Sequence, residues 1–357
     1  MQRTQLTTLL ALCACAAAIG CAQDSSSRPA GLSFSTGNPI NTGSDEPYTL
    51  AVMGDIPYGD AKLADFPSLI ALINSDPKVD IVLHAGDIKA GSSSPCTDEY
   101  FATIRGLFDG FKDPLVYTPG DNEWTDCHVA SKNNGLYTPT ERLQAVRALF
   151  FPVAGQTLGG RKKQVLTQAS DPANAAYIEN TMWMESRVVF AAVNITGSNN
   201  DLASWGSPLP ADAGNYPSQA QEVASRAQAN RAWIDRAFAT ATDQDADGVV
   251  LLFQADMWDP TAALSGFDVL VQQIGHLAAA FGKPVLLLEG DSHAYRVDHP
   301  FSVGSPLFAM HPATPVADNV TRLVVEGSGG RTEYVRLTIH PQGQGSELFS
   351  YERVPLQ

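Results

Sequence analysis

The stretch Ile81-Val82-Leu83-His84-Ala85-Gly86-Asp87 decides how this chain reads. Val79 to Leu83 is an apolar run of strand length, and a Gly-Asp pair closes the segment. The same ending recurs three more times: Gly54-Asp55 follows Leu50 to Met53, Gly120-Asp121 follows Leu115 to Pro119, and Gly290-Asp291 follows Val285 to Glu289. A single Gly-Asp pair is ordinarily a surface turn or a helix cap. Four of them, each directly after an apolar run, require a common cause. In open α/β sheets ligands bind beyond the carboxyl ends of strands. Glycine there permits close backbone approach, and the aspartate points into the crevice. Four converging carboxylates repel one another unless cations neutralise them.

Outward from these ends, strands alternate with helices. Tyr48 to Met53 is a strand. Leu63, Phe66, Leu69, Ile70 and Ile73 follow at helical spacing. Tyr100 to Phe108 reads as a helix and Leu115 to Tyr117 as a strand. Thr138-Pro139-Thr140-Glu141 opens a helix through Phe150, with a capping box on Thr138 and Glu141. Ala175 to Met184 and Arg187 to Asn194 read as two strands, and a polar loop covers 195–217. A helix from Gln219 to Ala241, a strand Val249 to Phe253, a helix Phe267 to Phe281 and a strand Pro284 to Leu288 come next. From Val320 onward the pattern is strands alone. Strand–helix alternation followed by a meander predicts α/β architecture with two sheets face to face and helices outside.

The N-terminus has the pattern of an export signal: Arg3, an apolar run from Leu9 to Ile19, then Ala18-Ile19-Gly20-Cys21. The last four residues resemble a lipobox; the rival reading is an ordinary signal peptide cut near Ala18 or Ala22. Residues 1–20 are thus expected to be a leader, 21–46 a flexible tether rich in Ser, Gly, Pro and Asn, and 47–357 the domain. Ala22 after the cysteine points to an outer-membrane lipoprotein facing the periplasm or the surface. Apolar residues make up 44% of the 357 and charged residues 17%, which suits a packed core. The net charge of −15 argues against nucleic acid as a partner. Apart from Cys13, Cys15 and Cys21 of the export-signal region, only Cys96 and Cys127 remain, and an exported protein offers them an oxidising compartment.

The blocks Gly54-Asp55, Leu83-His84-Ala85-Gly86-Asp87, Gly120-Asp121-Asn122-Glu123, a strand ending at Gln254, and Gly290-Asp291-Ser292-His293 resemble, in that order, the five motifs of calcineurin-like metallophosphoesterases. The resemblance runs over residues 48–340 and implies a two-layer mixed β-sandwich flanked by helices. It also implies two divalent metal ions. Asp55, Asp87 and His293 would hold one; Asp87, Asp121, Gln254 and Asp291 would hold the other, with Asp87 bridging. Several positions depart from the family pattern. Pro57 stands where a ligand histidine is usual, with Tyr58 next to it. Asp121 replaces an asparagine, Asn122 the proton-donating histidine, Gln254 and Asp291 two further histidines. The oxygen-rich set favours Mg or Mn, with Ca as a further option, over Zn. The opposing reading is a decayed site that binds one ion or none.

The resemblance implies hydrolysis of a phosphate ester in a phosphorylated small molecule or envelope ligand; the competing function is a non-catalytic ligand-binding lipoprotein of the same fold. Asn122 cannot carry the leaving-group proton, so Glu123, His128 and Tyr58 are the nearby candidates. His84 reads as a packed core residue. Cys96 and Cys127 follow the second and third Gly-Asp pairs, so adjacent strand ends bring their loops together and a bridge would clamp the rim; two separate thiols are the alternative. Asp243 to Gly248 resembles half of a calcium loop but reads as a helix-to-strand turn. Gly327-Ser328-Gly329-Gly330 lies between strands, which argues against a dinucleotide loop. Asp256 and Asp259 flank Trp258 at the expected rim.

Overall fold

The computed structural model describes residues 46–92, 94–129, 137–341 and 348–357. The leader, Cys21 and the tether up to residue 45 lie outside them. No helix among the described residues is long and apolar enough to cross a membrane.

Period-two alternation builds three apolar layers. In β1 (Tyr48–Met53), Leu50 and Val52 face one way and Ala51 and Met53 the other. The same split recurs in β7 (Gly248–Leu252), where Val250 and Leu252 oppose Val249 and Leu251, and in β8 (Val285–Glu289), where Leu286 and Leu288 oppose Val285 and Leu287. One set from each strand meets in a central core that includes the stacked rings of Trp183 and Phe190, 5.0 Å apart. That core is the space between two sheets. The first sheet has the order β12-β11-β1-β2-β3 and the second β4-β5-β6-β7-β8-β10-β9. Here β2 is Ile81–His84, β3 Leu115–Tyr117, β4 Leu166–Thr167, β5 Thr181–Glu185, β6 Val188–Ala192, β9 Arg296–Asp298, β10 Val320–Val324, β11 Glu333–Ile339 and β12 Phe349–Pro355.

Helices cover both outer faces. α1 (Gly59–Ser75), α2 (Asp98–Phe108) and α3 (Pro139–Phe150) bury Phe66, Leu69, Ile104, Phe108 and Phe150 against the first sheet. α4 (Gln219–Asp243) and α5 (Asp268–Phe281) bury Trp233, Phe238, Leu270 and Ile274 against the second. The fold is the α/β, two-layer mixed sandwich flanked by helices that the sequence pattern predicts. β1, β2 and β3 run parallel, as do β6, β7, β8 and β10, so seven strands deliver their carboxyl ends in two parallel sets.

Local expectations differ in three places. The strand expected from Ala175 starts at Thr181, because two successive turns occupy 175–180: the Tyr177 amide donates to the Asn174 carbonyl at 3.0 Å and the Asn180 amide to the Tyr177 carbonyl at 3.3 Å. The tail is not one antiparallel meander: β10 joins the second sheet parallel to β8, and β11 and β12 complete the first. The segment through Gly327–Gly330 connects β10 in one sheet to β11 in the other. Thr138 does not cap α3. Its hydroxyl donates to Asp212 Oδ1 at 2.7 Å, and Glu141 pairs with Arg142 instead. The capping box stands at α4, on Ser218 and Gln221. The Asp243 to Gly248 segment is a turn into β7, as expected.

His84 is buried on β2, between the rings of Phe108 and Tyr117, with Nε2 2.9 Å from the Ile56 carbonyl. Nδ1 has no partner, so a second proton would place an unpaired charge in the core. Burial accordingly lowers its pKa to about 4. A depressed folded-state value gives stability that is present above the unfolded value near 6.5 and is lost as pH falls toward 4. Wild type is therefore expected to lose about 2–3 kcal/mol of stability relative to His84→Leu between about pH 7.5 and 4.5. Denaturant unfolding at both pH values measures this, and a pH-independent difference contradicts it.

Candidate metal centre

The four Gly-Asp pairs stand at one end of the sandwich, three beyond β1, β2 and β3 and one beyond β8. Asp55, Asp87 and Asp291 take left-handed backbone, with φ of 53°, 56° and 69°, as does His293 at 58°. Aspartate tolerates this region better than most residues, at a cost of about 1–3 kcal/mol each. The turn swings each carboxylate back across its strand end. Glycine has a second task here: a Cβ on Gly120 would lie 2.1 Å from Asp87 Oδ1, and one on Gly290 2.3 Å from Asp55 Oδ2. The glycine of one pair clears the space that the aspartate of another fills.

Two groups of ligand atoms result, each lying mutually within 4.8 Å: Asp55, Asp87 and His293, and Asp87, Asp121 and Asp291. Asp87 belongs to both. Asp55, Asp87 and Asp121 are buried and Asp291 is half-buried. The Asp291 amide donates to both oxygens of Asp55, at 2.9 and 3.1 Å, and His293 Nε2 lies 3.3 Å from Asp55 Oδ1. The Asp256 amide donates to Asp291 Oδ2 at 3.2 Å.

Burial raises all four carboxyl pKa values, and the neighbouring acids raise Asp87, Asp121 and Asp291 further; Asp121 reaches about 7. Burial disfavours the His293 imidazolium, but its contact with Asp55 carries the net shift upward. Lys89, fully buried behind the cluster, donates to the carbonyls of Ala90 and Asn122 at 2.8 and 2.9 Å. One imidazole and one lysine face four aspartates and Glu123. A set of this chemistry is suited to divalent cations with a preference for oxygen donors.

Residues 48–211 match the family model described as calcineurin-like phosphoesterase. That stretch carries a calcineurin-like phosphoesterase domain. The match ends before Gln254, Asp291 and His293; the second sheet brings those to the centre. No curated protein matches the chain. Among solved structures it is similar to GAP50, the anchor in the inner membrane complex of Plasmodium, at 10% identity over 87% of this chain and 89% of that one, with a TM-score of 0.44. It is also similar to a carbon-nitrogen hydrolase from Helicobacter pylori G27, at 10% identity over 87% and 90%, with a TM-score of 0.28.

The carboxylate cluster differs from the expected centre in several residues. Gln254 joins the cluster, but its Oε1 accepts from the Gly197 amide at 2.5 Å. Its Nε2 faces Asp87 Oδ2 at 3.2 Å and Asp121 Oδ1 at 3.3 Å, so it donates to the carboxylates instead of offering an oxygen. Asn122 donates to Asp87 through its amide N–H at 3.1 Å and its side chain at 2.7 Å. Glu123 does not face the open side as a proton donor. Its Oε1 accepts from the Tyr117 hydroxyl and the amides of Gly120 and Asp87, at 2.6, 2.7 and 3.2 Å, bracing two ligand loops. His128 is held by its own turn, with Nδ1 2.7 Å from the Thr125 carbonyl. Tyr58 does reach the centre, with its hydroxyl 2.8 Å from Asp87 Oδ2. Asp256 is buried in ion pairing with Arg322, and Trp258 packs on Phe301, so neither lies at a rim; Asp259 caps the turn at Thr261.

The loop after β6 supplies what sequence reading missed. Ser198, Asn199, Asn200 and Asp201 form a left-handed turn with φ of 51° to 63°. The Ser198 hydroxyl lies 2.8 Å from Asp121 Oδ2 and 3.0 Å from Asp126 Oδ1. Gly197 is needed because a Cβ there would lie 2.7 Å from Asp121 Oδ2. Arg226 on α4 clasps Asn200 through its carbonyl and side chain, at 3.0 and 2.5 Å. The run Gly-Ser-Asn-Asn-Asp, composed largely of residues that tolerate positive φ, was the available signal. Cys96 and Cys127 form a disulfide with Cα atoms 5.9 Å apart, and both sulfurs face the Asn122 carbonyl. The bridge thus clamps the loop that bears Asp121.

Carboxyls with raised folded-state values stabilise the metal-free protein below their unfolded value near pH 4, and that stability is lost as pH rises through the folded value, about 7 for Asp121. Stabilisation by saturating Mn(II), measured as the rise in Tm over chelator-treated protein, is therefore expected to grow from about pH 5 to about pH 7.5. A constant or shrinking rise contradicts the assignment.

Proposed function

We propose that this chain hydrolyses a phosphate ester in the bacterial cell envelope with a carboxylate-rich dinuclear metal centre. The observation that carries the reading is the sharing of Asp87 by two ligand groups. Asp55, Asp87 and His293 would hold one divalent ion, and Asp87, Asp121 and Asp291 the other, with Mg or Mn favoured and Ca an option. Such a pair supplies Lewis-acid activation of the attacking oxygen and of the phosphoryl group.

The chain's own residues set the conditions for that chemistry. Glu123 and Lys89 hold the Asp87 and Asn122 loops from behind. Asn122 and Ser198 hold Asp87 and Asp121 by hydrogen bonds. Asn122 has no proton to give a leaving group at neutral pH. The favoured substrates are therefore esters whose leaving group departs without protonation, such as diesters or anhydrides of a phosphorylated small molecule or envelope ligand. The export signal supports placement as an outer-membrane lipoprotein, held by its lipid alone. The net charge of −15 speaks against nucleic acid.

The side-chain NH2 of Asn122, in place of an acid at Asp87, favours a second reading: a ligand-binding protein that keeps the metals without turnover. Elemental analysis combined with aryl phosphate mono- and diesters separates the two. The proposal expects about two bound ions, faster turnover of diesters, and loss of roughly 100-fold or more in Asp87→Asn. Bound metal without hydrolysis of any ester supports the second reading. Absence of metal after reconstitution overturns both.

A further inference from the structure

This inference rests on the metal-centre reading and names one more ligand. Pro57 removes the histidine that the family pattern places beside Asp55, leaving three side chains in the Asp55–Asp87–His293 group. Tyr58 comes next in the chain and is pinned in place. Its backbone N–H donates to Ser328 Oγ at 3.0 Å, and the Ser328 amide donates to the Asp55 carbonyl at 2.9 Å. Its ring meets the His293 ring edge to face, with centroids 5.1 Å apart.

The phenol oxygen is thereby set 2.8 Å from Asp87 Oδ2 and 3.4 Å from Asp55 Oδ1, while Asn122 Nδ2 donates to it at 2.9 Å. A hydroxyl carries one proton, which can serve one of the two carboxylates. It cannot donate to both carboxylate oxygens that it faces. A cation among the three oxygens accommodates both contacts, as edges of a coordination polyhedron. With metal–oxygen bonds of about 2.1 Å, neighbouring corners of an octahedron lie about 3 Å apart. We infer that Tyr58 Oη is a ligand of the Asp55–Asp87–His293 site, completing a set of three oxygens and one nitrogen suited to a hard cation.

Fe(III) is the reporter ion, because a phenolate on Fe(III) gives a visible charge-transfer band that carboxylates and imidazole do not. The full chain is stripped with chelator and reloaded, with bound iron quantified by elemental analysis. The wild type is expected to show the band. Tyr58→Phe keeps the ring against His293; it is expected to lose the band and to bind iron roughly tenfold or more weakly, with an unchanged far-ultraviolet dichroism spectrum. Bound iron without the band in the wild type overturns the inference and leaves the metal centre standing. A band that persists in Tyr58→Phe belongs to another tyrosine and also overturns it. Failure to retain Fe(III), Mn(II) or Zn(II) removes the metal-centre reading itself, a distinct result.

Discussion

Mutual repulsion among Asp55, Asp87, Asp121 and Asp291 is the constraint around which this molecule is arranged. Three of these carboxylates are buried, and Asp87 touches both ligand groups. Removing such charges from water costs several kcal/mol apiece unless they are paired. The protein around them offers mainly neutral donors: the Asn122 amide, the Gln254 NH2, the Ser198 hydroxyl and the backbone N–H groups of Asp291 and Asp256. These orient the carboxylates without cancelling their charge. Two divalent cations would cancel it.

The sandwich is what makes the convergence possible. Three parallel strands in one sheet and four in the other bring their carboxyl ends to one side, with the central apolar core holding the sheets in register. Local strain is accepted at the ends. Three of the aspartates and His293 hold positive φ, and a further left-handed turn at Ser198–Asp201 is kept by the buried Arg226. Backbone strain gathered at the candidate ligands fits a site selected for geometry over stability.

Much of this was legible in the sequence because it is local. The period-two split of Leu50 and Val52 from Ala51 and Met53, and the helical spacing of Phe66, Leu69 and Ile73, are short-range patterns that the packing preserved. The Gly-Asp repeat was legible because turn chemistry at a strand end has few solutions. What could not be read depends on long-range geometry. Which way Gln254 points is settled by the amide of Gly197, 57 residues away. Glu123 looked like an acid at the opening, yet its partner is the Tyr117 hydroxyl in the core. The Thr138 cap failed because Asp212 competes for its hydroxyl. Tyr58 could be noticed beside Pro57, but its position between Asp55 and Asp87 needed Ser328, brought over by the crossing of the tail between sheets.

The central claim is that two cations share Asp87. Electron paramagnetic resonance of the protein loaded with Mn(II) tests it most directly, because ions bridged by one carboxylate are exchange-coupled. The account predicts the spectrum of a coupled pair, converting to isolated Mn(II) in Asp87→Asn. An isolated-ion spectrum in the fully loaded wild type would contradict it.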